Sequence, residues 1–222
     1  MKFRTTRTVF GAAAVAVLAW TGSVTTASAA TQPAQSSWAQ RDSRTEVRQL
    51  SASAATDLQQ QIDQTLRTTK GGVQVSANEI AYKGSGALLS LPLPGQRTAP
   101  ENSQAALALF APSAAKATPN ITVYYWGCPQ GDSADNQWYC FYQDANMGGR
   151  RLQWNLQHCG TDYEGIFANY GFTAQASSWV NTGPLYVWAQ VGSSTLWVEN
   201  PDEYNKYVGD EDNDLATGFT SC

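Results

Sequence analysis

Apolar side chains return at every second position twice within Trp138–Leu156, at Tyr139–Phe141 and at Leu152–Trp154–Leu156, with Asp144-Ala145-Asn146 and Gly148–Gly149 between them. That alternation predicts two half-buried strands around a tight turn. Upstream the period changes. Leu58, Ile62 and Leu66 recur four apart on one helix face, Thr56 with Gln59 reads as a capping box, and Gly71–Gly72 read as a stop. Val73–Tyr82 and Ala87–Leu91 then predict a hairpin joined at Lys83-Gly84-Ser85-Gly86 and closed by Pro92 and Pro94. Beyond an Ala/Pro/Ser-rich stretch, 96–120, with one weakly helical piece at Ser103–Phe110, short strands are expected at Ile121–Trp126, Trp138–Gln143, Arg151–Leu156, Ser177–Val180, Pro184–Gln190 and Thr195–Asn200. The final stretch, Tyr204–Cys222, is turn-rich. Short strands at this spacing without a long helix predict an all-β sandwich, preceded by a small helix and hairpin.

The first thirty residues have the layout of an export signal: a basic head (Lys2, Arg4, Arg7), a short apolar core from Val9 to Trp20, and Ala27-Ser28-Ala29 as a small-x-small cleavage site. The expectation is a secreted, extracellular protein with no membrane attachment after cleavage. Residues 31–54 are polar without periodicity and read as disordered. Charge divides the mature chain in two: residues 31–121 carry eight Lys/Arg against six Asp/Glu, residues 122–222 three against twelve, and six of the eight Trp lie in the second part. A break that sharp predicts a boundary near Pro119, giving a helix-hairpin pro-region (55–95), a linker (96–120) and an acidic domain (121–222). The acidic part lacks the basic surface that nucleic acid requires.

In an exported chain Cys128, Cys140, Cys159 and Cys222 read as two disulfides rather than metal ligands. Three connectivities are open; Cys128 with Cys140 and Cys159 with Cys222 is the preferred one. Enzymatic constellations are scarce. His158 is the single histidine, which excludes a two-His zinc site. Asp144, Glu199, Asp202 and Glu203 are available for a carboxylate pair, but solvated turn carboxylates are the commoner case. The expectation is no enzyme activity.

Tyr142, Met147 and Gly149 match an aromatic-x-x-x-x-aromatic-x-Gly pattern with Met in the second aromatic place, and Ser177–Ser178 follow about thirty residues on. This resembles the signature of a βγ-crystallin Greek key, and implies a sandwich of two such keys. The second key is poorer, since Trp197 lacks the following aromatic and Gly. The resemblance also implies where Ca²⁺ would bind. In the first key the matching six, Thr173 to Ser178, have lost both carboxylate or amide places; in the second, Asn213, Asp214 and Thr217 survive, with Gly218 for the last Ser. One weak Ca²⁺ site is allowed, against the plainer reading of an acidic solvated loop; no other cofactor is expected.

The stretches CFYQDANMGGRRLQW and GFTAQASSWVN resemble the secreted metalloproteinase inhibitors of actinobacteria, which have one crystallin-like domain and two disulfides. Residues 55–95 resemble the region found ahead of that domain in exported peptidase-inhibitor-like proteins. What the resemblance implies is a monomeric inhibitor that places a rigid exposed loop in the cleft of an extracellular protease. The family's very short disulfide-bounded loop is absent here. The remaining candidate is Pro129–Gln137, with Pro129, Gln130, Gly131, Asp132 and Ser133 as contact residues. The alternative is a structural or Ca²⁺-binding crystallin-type module.

Overall fold

The computed structural model describes residues 50–110, 123–130, 138–155, 159 and 165–222. Its elements in chain order are helix α1 (Ala52–Thr68), strands β1 (Val73–Gln74), β2 (Glu79–Tyr82) and β3 (Ala87–Ser90), helix α2 (Gln104–Phe110), then β4 (Val123–Tyr125), β5 (Cys128–Gln130), β6 (Tyr139–Asp144), β7 (Gly148–Trp154), β8 (Gly165–Ile166), β9 (Ser178–Asn181), β10 (Val187–Val191), β11 (Ser194–Glu199), β12 (Glu203–Asn205) and β13 (Gly218–Ser221). The regular structure among the described residues is mostly strand, with few helices, as an all-β reading requires.

α1 begins a turn before the expected capping box. Ser51 is the N-cap, its Oγ accepting from Ala54 N at 3.2 Å, while the Thr56 hydroxyl donates back to Ala52 O instead. The helix ends at Thr68, ahead of Gly71, which has φ +76°. The expected strand Val73–Tyr82 is two pieces, because Ser76 and Asn78 turn the chain and the Asn78 amide donates to Leu91 O at 2.9 Å.

The larger sheet has the order β1-β2-β3-β7-β6-β9-β12 and the smaller β11-β10-β13-β8. All their ladders are antiparallel. The amino-terminal hairpin is part of the larger sheet: β3 pairs with β7 over Ala87↔Trp154, Leu88↔Gln153, Leu89↔Leu152 and Ser90↔Arg151. Counting from β6, the chain makes two four-strand units. The third strand of each, β8 and β12, pairs in the sheet that holds the other unit's remaining strands.

Strand alternation sends each side chain to one of two buried faces. On the inner face Ile80, Leu89, Phe141, Leu152, Trp154 and Trp179 meet Leu58 and Ile62 of α1 and Phe219 of the smaller sheet. On the outer face Ala81, Leu88, Cys140, Tyr142 and Val180 meet Leu107 of α2, Cys128 and Trp138. A sheet covered on both sides explains why β2, β3 and β6 show almost continuous burial.

Part of that outer face is polar, and a strap from Ala99 to Leu107 lies over it. The buried Glu79 carboxylate accepts from Asn102 Nδ2 (2.9 Å) and Ser103 N (3.1 Å). Asn102 Nδ2 also reaches Ser90 Oγ (3.1 Å), and Asn102 Oδ1 accepts from Gln153 Nε2 (2.9 Å). Arg151, fully buried, donates to Gln153 Oε1, to Ala99 O (3.2 Å) and to Pro100 O (3.0 Å). The described part of the expected linker, 96–110, is therefore packed, with Ala99, Ala106 and Leu107 buried. A boundary near Pro119 falls outside the described residues.

Asn102 is the node of this network. Asn102→Ala should lower stability by about 2–4 kcal/mol, because it leaves Glu79, Ser90 and Gln153 buried with fewer partners. Urea unfolding at unchanged m-value checks this.

Candidate functional site

The β6–β7 hairpin is folded by the residues the sequence singles out. Tyr142 and Met147 are both fully buried in one cluster. Gly149 has φ +69°, and a Cβ there would lie 2.7 Å from Gln143 Cβ, so both the conformation and the space exclude a side chain. Ser177 Oγ donates to Gln143 O (2.8 Å), Ser178 Oγ donates to Asp144 O (2.7 Å), and Met147 N donates to Ser178 Oγ (3.0 Å). The two serines thus tie the folded hairpin to β9.

The corresponding stretches of the two units face each other. Ala174 (φ +53°) and Asp214 (φ +58°) share the left-handed conformation. Ala174 N donates to Ala216 O (2.9 Å), and Asp214 N donates to Ala176 O (3.3 Å). Of the metal candidates, Thr217 Oγ1 donates to Gln190 O (3.2 Å), and Asp214 carboxylate oxygens accept from Ser177 Oγ (3.3 Å) and Asn213 Nδ2 (2.9 Å). Asn213 Oδ1 is a buried oxygen with no hydrogen-bond donor among the described residues. No group of three or more His, Cys, Asp or Glu side chains with metal-site geometry occurs among the described residues.

The cysteines pair as Cys128–Cys140 and Cys159–Cys222. Two disulfides point to an oxidising, extracellular-type environment. No helix among the described residues is long and apolar enough to cross a membrane. The Cys128–Cys140 bridge (Cα–Cα 6.0 Å) brackets the candidate inhibitory segment. Pro129 is buried and Gln130 half-buried in β5; Gly131, Asp132 and Ser133 lie outside the described residues. Thr182, not singled out by sequence, closes the bracket. Its hydroxyl donates to Pro129 O (2.8 Å), its Oγ1 accepts from Trp138 N (2.8 Å), and its N–H donates to Trp138 O (2.9 Å).

Beside this bracket stands an exposed aromatic group. Tyr125, Trp126 and Tyr204 are 41%, 38% and 44% exposed, and the Trp126 and Tyr204 ring centroids are 4.5 Å apart. Lys206 Nζ sits 5.4 Å from the centre of the Trp126 ring. Trp126 has φ +51°, a strained value for a bulky residue, and its carbonyl accepts from the Tyr142 hydroxyl at 3.1 Å. The next residue must be glycine: Gly127 has φ +85°, and a Cβ would collide with the Arg151 guanidinium.

Glu199, one of the carboxylates available for acid–base chemistry, is fully buried at the end of β11. Burial holds its carboxyl well above the usual carboxylate range, partly offset by the Trp197 indole N–H, which donates to Oε1 at 3.1 Å. Burial likewise pushes the neighbouring Tyr139 phenol up to about 12. Asp202 and Glu203 are exposed on the next turn and in β12.

Comparison of the chain with protein-family models, with curated proteins and with solved structures returned no match.

The raised Glu199 value has a defined sign. The folded chain keeps this proton more tightly than the unfolded one, so its contribution is fully present below the ordinary carboxylate value and is lost as pH rises through the folded value. Glu199→Gln should therefore melt with the parent at pH 4 and several degrees above it at pH 8. Calorimetry at the two pH values checks the difference.

Proposed function

We propose that this chain is a secreted, non-catalytic inhibitor of extracellular proteinases, built on two Greek keys of the βγ-crystallin kind. The strand order supports the fold part of this reading, since each four-strand unit gives its third strand to the opposite sheet. The folded β6–β7 hairpin tied by Ser177 and Ser178 supports it further.

The observation that carries the inhibitory reading is the double bracket on residues 130–137. The Cys128–Cys140 bridge and the three Thr182 hydrogen bonds fix both ends of that segment. Closing the segment at its flanks removes the loop-closure part of the ordering cost that an open chain would bear on entering a protease cleft, so more of its contact energy appears as affinity. After a cut, its two new ends stay together, which favours resealing over release. Trp126 and Tyr204 beside it supply rigid aromatic area of the sort that dominates protein interfaces. The chain acts as a monomer, without cofactor or nucleic acid.

The full chain should slow a thermolysin-type metalloproteinase at micromolar concentration, and the Cys128→Ser/Cys140→Ser variant should lose at least about tenfold in inhibition constant. Full turnover of protease substrate at that concentration, by thermolysin-type and serine proteases alike, would end the inhibitor reading.

A second reading is favoured by the orphaned Asn213 oxygen: a weak Ca²⁺ site in the second unit, using Asn213 and Asp214 oxygens. Affinities of extracellular Ca²⁺ modules lie around 10⁻⁴–10⁻³ M. Adding millimolar Ca²⁺ should then raise Tm of the parent but not of Asn213→Ala; equal melting with and without Ca²⁺ removes this site.

A further inference from the structure

Arg150 and Arg151 are neighbours on β7 and so point to opposite faces of the sheet. Arg151 serves the strap over the outer face. Arg150 lies on the side of α1, with its guanidinium over the Phe172 ring at 5.6 Å. Nε donates to Gln143 Oε1 (3.0 Å), and Nη2 donates to Gly171 O (3.0 Å) and to Gln175 Oε1. All three acceptors are neutral. No carboxylate pairs with Arg150 among the described residues, and Nη1 has no protein acceptor there. Burial of this guanidinium lowers its pKa, yet an arginine keeps its charge at any ordinary pH. The fold therefore holds a largely desolvated cation on dipoles alone, which is costly without a counter-charge.

Arg150 also lines a cleft of about 440 Å³ between α1 and the β6–β7 hairpin. That volume is within the range of small-ligand sites, roughly 300–1,000 Å³. Gln61 and Gln64 face it from α1, and their side-chain amides make no hydrogen bond with described residues. Leu91 and Pro92 give it an apolar wall.

We propose that this cleft binds the carboxyl-terminal end of a peptide chain, with the terminal carboxylate on Arg150 and the preceding peptide group between the Gln61 and Gln64 amides. Primary amides both donate and accept, as the N–H and C=O of a peptide require. The single open nitrogen and single positive charge suit a monoanion. A phosphate dianion would bring a second charge for which the cleft offers no cation among its lining residues. Arg150 is the one cation among the residues that line the cleft, so binding of the carboxylate depends on it.

The test is calorimetric titration of the full chain with N-acetyl-glycyl-glycine, with its carboxy-terminal amide, and with inorganic phosphate. The free acid should bind saturably and the amide at least about tenfold more weakly, since only the acid forms a charge-assisted bond. Gln64→Glu, on the exposed helix surface, brings a carboxylate into the cleft. It should abolish binding while the circular dichroism spectrum stays that of the parent, and should raise Tm by supplying the missing counter-charge. Equal binding of acid and amide, phosphate binding as tight as the acid, no binding of the acid, or parental affinity in Gln64→Glu would each overturn the proposal.

Discussion

The ladder between β3 and β7 is the contact on which the rest of the molecule depends. Through it, a hairpin read in sequence as part of a separate pro-region joins the seven-stranded sheet, and the strand that carries Arg150, Arg151 and Trp154 is enclosed rather than left as an edge. A two-stranded hairpin is marginal alone in water, and an exposed strand edge invites pairing with other chains. Joining the two removes both liabilities. Leu89 is then fully buried against Leu152, and Leu88 joins the cluster around Cys140.

Closing that ladder places polar groups where water is excluded, and the strap exists to satisfy them. Glu79, Ser90, Gln153 and Arg151 share the outer face, and each is met by a backbone or side-chain group from residues 99–103. The same closure sets the two candidate surfaces apart. On the outer side, the Arg151 guanidinium lies under Gly127, next to the strained Trp126. On the inner side, α1 packs over β2 and β3 by Leu58 and Ile62, and its polar flank makes one wall of the Arg150 cleft. The Arg150 cleft takes residues from both halves of the chain, Gln61, Gln64, Leu91 and Pro92 from the first and Gln143, Gly149 and Arg150 from the second.

Local chemistry was legible in the sequence wherever one residue type suffices for one task. Gly149 is required by its φ and by Gln143; Ser177 and Ser178 are required as donors; and the cysteines pair as preferred. The α1 face follows the same logic, because there period and burial coincide, whereas β2, β3, β6 and β9 are buried on both faces and exceed what their alternation alone implies. What the sequence conceals is long-range. β8 and β12 have two and three residues, too short for any alternation. β13 reads as a turn because Gly218 opens it. Asn102, Glu79 and Gln153 look like solvated polar residues until the strap covers them. Gln61 and Gln64 look like an ordinary wet helix face, and nothing in the adjacent arginines says that one serves the buried strap while the other lines a cleft with no carboxylate partner among the described residues.

Native-state hydrogen exchange on the full chain addresses the β3–β7 ladder most directly. If the hairpin and the domain after it are one cooperative sheet, the amides of Leu88 to Ser90 should exchange with the same opening free energy as those of Phe141 and Leu152, through global unfolding. Exchange of the β2–β3 amides at a much lower opening free energy, with β6 and β9 still protected, would contradict the account and return the hairpin to the status of a detachable leader.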